Sequence, residues 1–167
     1  NDRLGRYGRQ MILDQYSVRR MTAENIKMYN SVLDGKRFDF AISGYYGYNN
    51  SGDEALLLAI VQSLRAIKED ARICVLSKNA ARTQEEYGVH AVYRYNVPKL
   101  RRVLKSTKLL ISGGGSLMQD VTSSKSLWYY AWVIRLAKRM GAKVMLYANG
   151  IGPILRRSNQ RRAARAL

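Results

Sequence analysis

From residue 38 onward, short apolar runs alternate with longer stretches whose apolar positions recur every three or four residues. The first run, FDFAIS at 38–43, stops at a glycine loop and predicts a buried strand. Residues 53–68 carry Leu56, Leu57, Ile60, Val61, Leu64 and Ile67 at helical spacing. Ser51 and Glu54 fit an S-x-x-E capping box, so the helix is expected to begin near Ser51 with Glu54 reaching back to the cap. Residues 72–77 and 89–93 predict two more strands. Pro98 opens a short helix through Lys105, because its missing N–H costs nothing in a first turn. Residues 108–112 form another buried strand, followed at once by Gly113-Gly114-Gly115-Ser116. A helix over 124–140 has Gly141 as its C′ residue, 143–148 is the next strand, and 149–153 turns into a basic final helix.

Strands separated by helices predict an α/β fold with a Rossmann-like parallel sheet over residues 38–167. Residues 1–37 differ. Tyr16, Met21, Ile26, Tyr29 and Leu33 suggest amphipathic helices without a strand, and Asp34-Gly-Lys-Arg37 reads as a junction. Parallel sheets bind ligands beyond the carboxyl ends of their strands. The three glycine-bearing loops, 44–52, 113–116 and 149–153, each follow a strand and should therefore share one edge. That convergence says more than any one of the loops.

Composition narrows the function classes. A hydrophobic content of 47% supports a buried core, and 167 residues suit one domain or one domain with an appendage. The net charge of +17 would attract nucleic acid, an anionic membrane surface, or a phosphorylated or carboxylated substrate. Basic residues are spread along the chain, with some density at Arg156, Arg157, Arg161, Arg162 and Arg165, a pattern closer to a solvated surface than to a dedicated patch. The lone Cys74 lies in an apolar run and reads as a small buried hydrophobe in a reducing compartment. His90 is also alone, so neither a metal site nor a Cys/His nucleophile is expected. No apolar run reaches the ~18 residues of a membrane span, and a cytoplasmic location is expected. The chain begins at Asn1 and closes on SNQRRAARAL, which reads as a helix cut short, so it is expected to be a piece of a longer protein.

The loops can serve a ligand or simply turn the chain. Gly44, Gly47 and Gly52 are too far apart for a dinucleotide fingerprint, no G-K-[ST] follows to make a P-loop, and GGGS matches neither. Gly113, Gly114, Gly115 and Ser116, with Asn149, Gly150 and Gly152, could still bring bare N–H groups to an anion. Asn49, Asn50 and Ser51 suit hydroxyls or amides of a polar ligand. Tyr45, Tyr46 and Tyr48 offer flat faces that serve a sugar ring or plain packing. Asp53 and Glu54 are adjacent and diverge on a helix, which disfavours a paired-carboxylate mechanism. Asp53 is the candidate catalytic group, or else an acid complementing the helix dipole. The Trp128-Tyr129-Tyr130 run reads mostly as helix core, with one residue facing the cleft.

SGYYGYNNSGDEALL, ISGGGSLMQDVTSS and LYANGIGPI, in this order and spacing, resemble the N-terminal half of bacterial polysaccharide pyruvyl transferases across residues 38–167. The resemblance implies transfer from phosphoenolpyruvate to a sugar as a pyruvate ketal, typically on N-acetylmannosamine of a lipid-linked cell-wall glycan. It implies a GT-B-like pair of Rossmann-like halves, of which the second would bring the donor-binding arginine and a catalytic histidine, so this chain alone would be inactive. It implies phosphoenolpyruvate as a donor substrate with no separate cofactor, and it carries Gly44, Tyr45, Asp120 and the loop residues above as substrate-binding. A lipid-diphosphate carrier at the inner leaflet would also account for a basic surface in peripheral contact with an anionic membrane. RLGRYGRQMILDQYSVRRMTAENIKMYNSVL resembles the tail helices of a GT-B glycosyltransferase, implying fusion to an upstream enzyme, with a private helical extension as the alternative. Two other functions stay open at this point. One is a sugar-nucleotide-dependent glycosyltransferase half. The other is a basic module for nucleic acid or anionic lipid, although no DNA-binding motif favours nucleic acid.

Overall fold

The computed structural model describes residues 37–121 and 123–167, together with Thr22; apart from Thr22 the expected N-terminal helices, and residues 34–36 of their junction, lie outside the described residues. The described core forms β1 (Phe38–Ser43), α1 (Ser51–Ile67), β2 (Ile73–Ser77), α2 (Ala80–Tyr87), β3 (His90–Tyr93) and α3 (Val97–Lys105). It continues through β4 (Thr107–Gly113), α4 (Ser124–Arg139), β5 (Lys143–Tyr147) and α5 (Arg157–Ala164). The strands make one five-stranded sheet in the order β3-β2-β1-β4-β5, every pair parallel. The expected Rossmann-like α/β architecture is therefore what the chain adopts, and it is consistent with one half of a GT-B-like fold.

Burial explains the strand composition. β1, β2 and β4 are buried along their whole length, as runs covered on both faces must be, whereas β3 and β5 form the partly exposed edges. Ala41, aligned with Cys74 and Leu110, shares a core with Leu100 and Leu104 of α3, Tyr130 and Ile134 of α4, and Ala163 of α5. The alternate positions Ile42, Val75 and Ile111 are equally enclosed, as are Leu57, Ile60, Val61 and Leu64 on α1. Burial pushes the Cys74 thiol up to about 12, in keeping with a small buried hydrophobe.

Two local expectations are corrected. Ser51 does not cap α1. Asn50 does, its side chain accepting from the N–H groups of Gly52 (3.1 Å) and Asp53 (3.5 Å). Helix α2 has no counterpart in the apolar spacing because only Thr83 and Tyr87 of its eight residues are buried. Its ends are nonetheless marked, by the Asn79 side chain accepting from Arg82 N–H and by Gly88 in the left-handed region at φ 60°.

The strand order reverses direction beside β1. From β1 the chain works outward to β2 and β3, then returns to place β4 on the other flank of β1. A crevice opens where this happens, beyond the carboxyl ends of β1 and β4, and the loops after those two strands are the first two glycine loops. No helix among the described residues is long and apolar enough to cross a membrane.

One charge cluster lies at the opposite end of β1. The fully buried Asp39 carboxylate accepts from Lys68 Nζ at 2.8 Å, Lys108 Nζ at 2.9 Å, and both the backbone and guanidinium of Arg72. Burial alone would raise its pKa, but the hydrogen bonds from Lys68, Lys108 and Arg72 outweigh it and hold the carboxyl well below the usual carboxylate range. Lys108 is itself almost enclosed, so loss of Asp39 would strand a buried cation. Asp39→Asn is expected to cost about 3–5 kcal/mol in urea unfolding at neutral pH. Because the folded pKa is depressed, this stabilisation is complete above the unfolded value of about 3.9 and fades as pH falls below it. The gap between wild type and Asp39→Asn should therefore narrow in acid; a gap unchanged by acid would remove the ionised carboxylate from the account.

Candidate functional site

A cleft of about 690 Å³ occupies the predicted crevice. Its lining comes from four segments: the loop after β1, the start of α1, the turn after β3, and the span from the GGGS loop into α4.

The loop after β1 is held rigid from inside. Tyr46 is fully buried and its hydroxyl donates to the Gly113 carbonyl at 2.7 Å, tying the first glycine loop to the second. A Cβ on Gly44 would sit 2.3 Å from the Tyr46 ring and 2.5 Å from the Gly113 carbonyl oxygen, so only glycine fits there. Glu54 fastens the far side, Oε1 accepting from Gly47 N–H and Oε2 from the Tyr87 hydroxyl, each at 2.8 Å. Glu54 is thus a loop anchor and not the partner of a Ser51 cap. With Tyr46 inside, Tyr45 and Tyr48 project into the cleft, stacked at 4.0 Å with an interplanar angle of 4°. The Tyr48 hydroxyl meets that of Tyr95 at 3.2 Å, and Tyr95 packs edge-on against Tyr129 of α4. Burial raises the Tyr48 and Tyr129 phenols, so these two stay neutral at physiological pH.

A cation lies behind the same tyrosines. Arg94, just past β3, is only 2% exposed. Its guanidinium lies 4.1 Å from the Tyr129 ring centre and within 5.5 Å of those of Tyr48, Tyr95 and Tyr130. Nη1 donates to the Gly44 carbonyl at 3.1 Å, while Nε is enclosed without a partner. No carboxylate forms an ion pair with Arg94 among the described residues. A buried cation without a counter-ion is costly, and at the wall of a cleft it favours an anionic ligand. The N-terminus of α4 opens into the same space through Ser123, Lys125 and Ser126. Its N-cap Ser123 makes no side-chain cap and its first turn holds no acid, so nothing there offsets the positive end of the helix dipole. Helix α1 is the opposite case: Asn50 caps it, and Asp53 and Glu54 fill its first turn.

Asp53 stands in the cleft, where a Cβ on Gly115 would come within 3.3 Å of its Oδ1. Burial, and secondarily the neighbouring Glu54, raise its pKa above the ordinary carboxylate value.

Of the residues singled out by sequence, Tyr45, Tyr48, Asp53, Gly115 and Ser116 line the cleft, as do both Tyr129 and Tyr130 where one residue of that run was expected. Gly44, Gly113 and Gly114 form its backing: Gly114 takes φ 82° against Leu56 and the Tyr46 hydroxyl. The third loop is a buttress. Asn149 Nδ2 donates to the Ser112 carbonyl at 2.9 Å, Gly150 N–H to the Gly115 carbonyl at 3.0 Å, and Gly152 N–H to the Met118 carbonyl at 2.8 Å. A side chain at Gly150 would strike Ser116 Oγ at 2.7 Å. Asn49 and Ser51 face away, into a separate groove with Arg82 and Glu86, where Arg82 donates to Asn49. Asn50 is occupied in capping. Asp120 is also turned to structure: its carboxylate accepts from Leu155 and Arg156 N–H and from Asn159 Nδ2, which holds its pKa low and fixes the entry to α5. His90 sits at the start of β3, edge-on to Phe38, at the sheet end opposite the cleft.

Sequence reading missed Arg94, Tyr95 and Lys125. The signal available was positional: Arg94-Tyr95 closes a predicted strand, so it had to lie on the same edge as the glycine loops.

The comparisons with known proteins are sparse. A search of curated proteins finds no match. Among solved structures, a crystal structure of the DnaC helicase loader aligns with 85% of this chain and 74% of its own at 13% identity, with a TM-score of 0.35, too low to carry any argument. The family model for polysaccharide pyruvyl transferase matches residues 50–167, a span that holds Asp53, Arg94, the GGGS loop and the α4 N-terminus. The chain belongs to the polysaccharide pyruvyl transferase family.

Proposed function

We propose that this chain supplies one wall of a transferase site that moves a pyruvyl group from phosphoenolpyruvate to a sugar of a lipid-linked cell-wall polysaccharide, working at the cytoplasmic face of the membrane. The observation that carries the reading is the presence of two chemistries in one cleft. One set, Arg94, Lys125 and the α4 N-terminus, suits a small dianion or trianion. The other, formed by the Tyr45–Tyr48 stack and Asp53, suits a neutral sugar, whose ring lies on aromatic faces and whose hydroxyls bond a carboxylate. Phosphoenolpyruvate and a glycan acceptor have these complementary characters. A sugar-nucleotide donor would also be anionic, but family membership favours the pyruvyl donor.

In the proposed reaction one acceptor hydroxyl adds to C2 of the enolpyruvyl group while C3 takes a proton. A second hydroxyl then displaces phosphate from C2, its own proton leaving with the phosphate, and a ketal remains. Asp53 is the group on this wall able to accept the first hydroxyl proton, and its raised pKa makes it a better base than an ordinary carboxylate. Arg94, Lys125 and the α4 amides hold the donor and the charge on the departing phosphate. The residues of the opposite wall are expected from the second half of the enzyme.

The full-length enzyme is expected to release phosphate from phosphoenolpyruvate only when an amino-sugar acceptor is present. Turnover of a sugar nucleotide in its place would overturn the reading. Arg94→Lys keeps the charge but loses the planar fork, and should raise the KM for phosphoenolpyruvate about 10- to 100-fold while leaving that of the acceptor nearly unchanged. Equal changes in both would mark Arg94 as a purely structural residue.

Asp53→Ala should lower kcat about 10²- to 10⁴-fold with little change in the thermal midpoint. The acid limb of the wild-type kcat/KM profile should lie above the ordinary carboxylate range, because the base is lost as pH falls through its raised pKa. It should disappear in Asp53→Ala. Wild-type turnover in that variant would take Asp53 out of the site.

A further inference from the structure

Helix α4 carries a second stripe beside the one that lines the cleft. Trp128, Trp132, Arg135 and Arg139 fall at i, i+4, i+7 and i+11 and border a shallow groove of about 190 Å³ closed by Arg162 of α5. Trp128 and Trp132 are the only tryptophans of the chain, and both lie substantially in solvent, 42% and 38% exposed. The stripe is built and not merely bare. Trp128 Nε1 donates to Asn159 Oδ1 at 2.7 Å, Asn159 is held in turn by Asp120, and the Arg162 guanidinium covers the Trp128 ring at 4.7 Å. The predicted substrate contact Asp120 thus positions this surface instead.

Charge singles out the region. From residue 121 to the end the sequence has ten Lys and Arg residues and no Asp or Glu. Arg135, Arg139 and Arg162 are exposed, and none forms an ion pair among the described residues. Arg162 of the basic last helix thus meets Arg135 and Arg139 of α4 across one groove.

We propose that this Trp–Arg stripe docks the protein on an anionic phospholipid bilayer. Partly exposed indoles beside guanidinium groups suit the headgroup layer, where the ring meets the acyl boundary and the cation meets lipid phosphate. Nucleic acid is the competing occupant, and duplex DNA enters the test as the alternative. The stripe adjoins the cleft, since Tyr129 of the aromatic wall packs against Trp132 at 6.3 Å. Docking here would present the cleft mouth to a lipid-borne acceptor. In that respect the inference rests on the lipid-linked reading of the acceptor, although docking itself requires no donor, acceptor or turnover.

Vesicle binding by the chain tests this directly, with phosphatidylcholine alone and with phosphatidylcholine containing phosphatidylglycerol. The expected result is co-sedimentation with the anionic vesicles alone, weakened by salt, and a blue shift of tryptophan emission that reports these two residues specifically. Arg135→Glu with Arg139→Glu should weaken binding at least about tenfold, and Trp132→Ala should also weaken it, with the far-UV circular dichroism of both variants unchanged. Binding without any emission shift would place the contact on another face and overturn the proposal. So would equal binding of the charge-reversed variant, equal binding to neutral vesicles, or a preference for duplex DNA at the same salt. Failure of pyruvyl transfer would leave vesicle binding intact, and failure of vesicle binding would leave the transfer reading intact, so the two can be told apart.

Discussion

A cation buried without a carboxylate partner organises one end of this sheet. Arg94 is enclosed by Tyr48, Tyr95, Tyr129 and Tyr130 and bonded to the Gly44 carbonyl, so it joins the loops after β1 and β3 to helix α4. Tyrosine rings and a carbonyl dipole soften the cost of burying the guanidinium but do not neutralise it. The same arrangement that fixes the loops therefore leaves positive potential at the cleft wall. Asp39 shows the contrasting solution at the other end of β1, where three cations converge on one buried carboxylate and the charge is spent on stability.

The cleft follows from that asymmetry. Helix α1 satisfies its own N-terminus with Asn50, Asp53 and Glu54, while α4 begins uncapped and basic. Two helices starting on the same sheet edge thus offer opposite chemistry, one rich in acceptors and one in donors. In the proposed reaction that contrast is what brings an anion and a polyhydroxyl together.

Most of the fold was legible because buried parallel strands write themselves as unbroken apolar runs, as FDFAIS and KLLIS do. Helix α2 was not, since its apolar face is nearly empty and only its caps, Asn79 and Gly88, mark it. Composition alone could not say which polar residues of the NNSGD segment face a ligand. Asn50 and Asn49 turned out to serve the backbone and Arg82, whereas Asp53 faces the cleft. Tyr46 was indistinguishable from Tyr45 and Tyr48 in sequence, yet it points inward to reach Gly113. Arg94 escaped notice because its meaning depends on long-range packing by α4, which no local pattern contains.

The most direct test of the central claim is a crystal structure of the full-length enzyme with phosphoenolpyruvate bound. The account predicts donor oxygens within hydrogen-bond distance of Arg94 and of the backbone N–H groups that open α4, with Asp53 and the tyrosine stack left free for the acceptor. A donor bound away from Arg94 and the α4 N-terminus would contradict it.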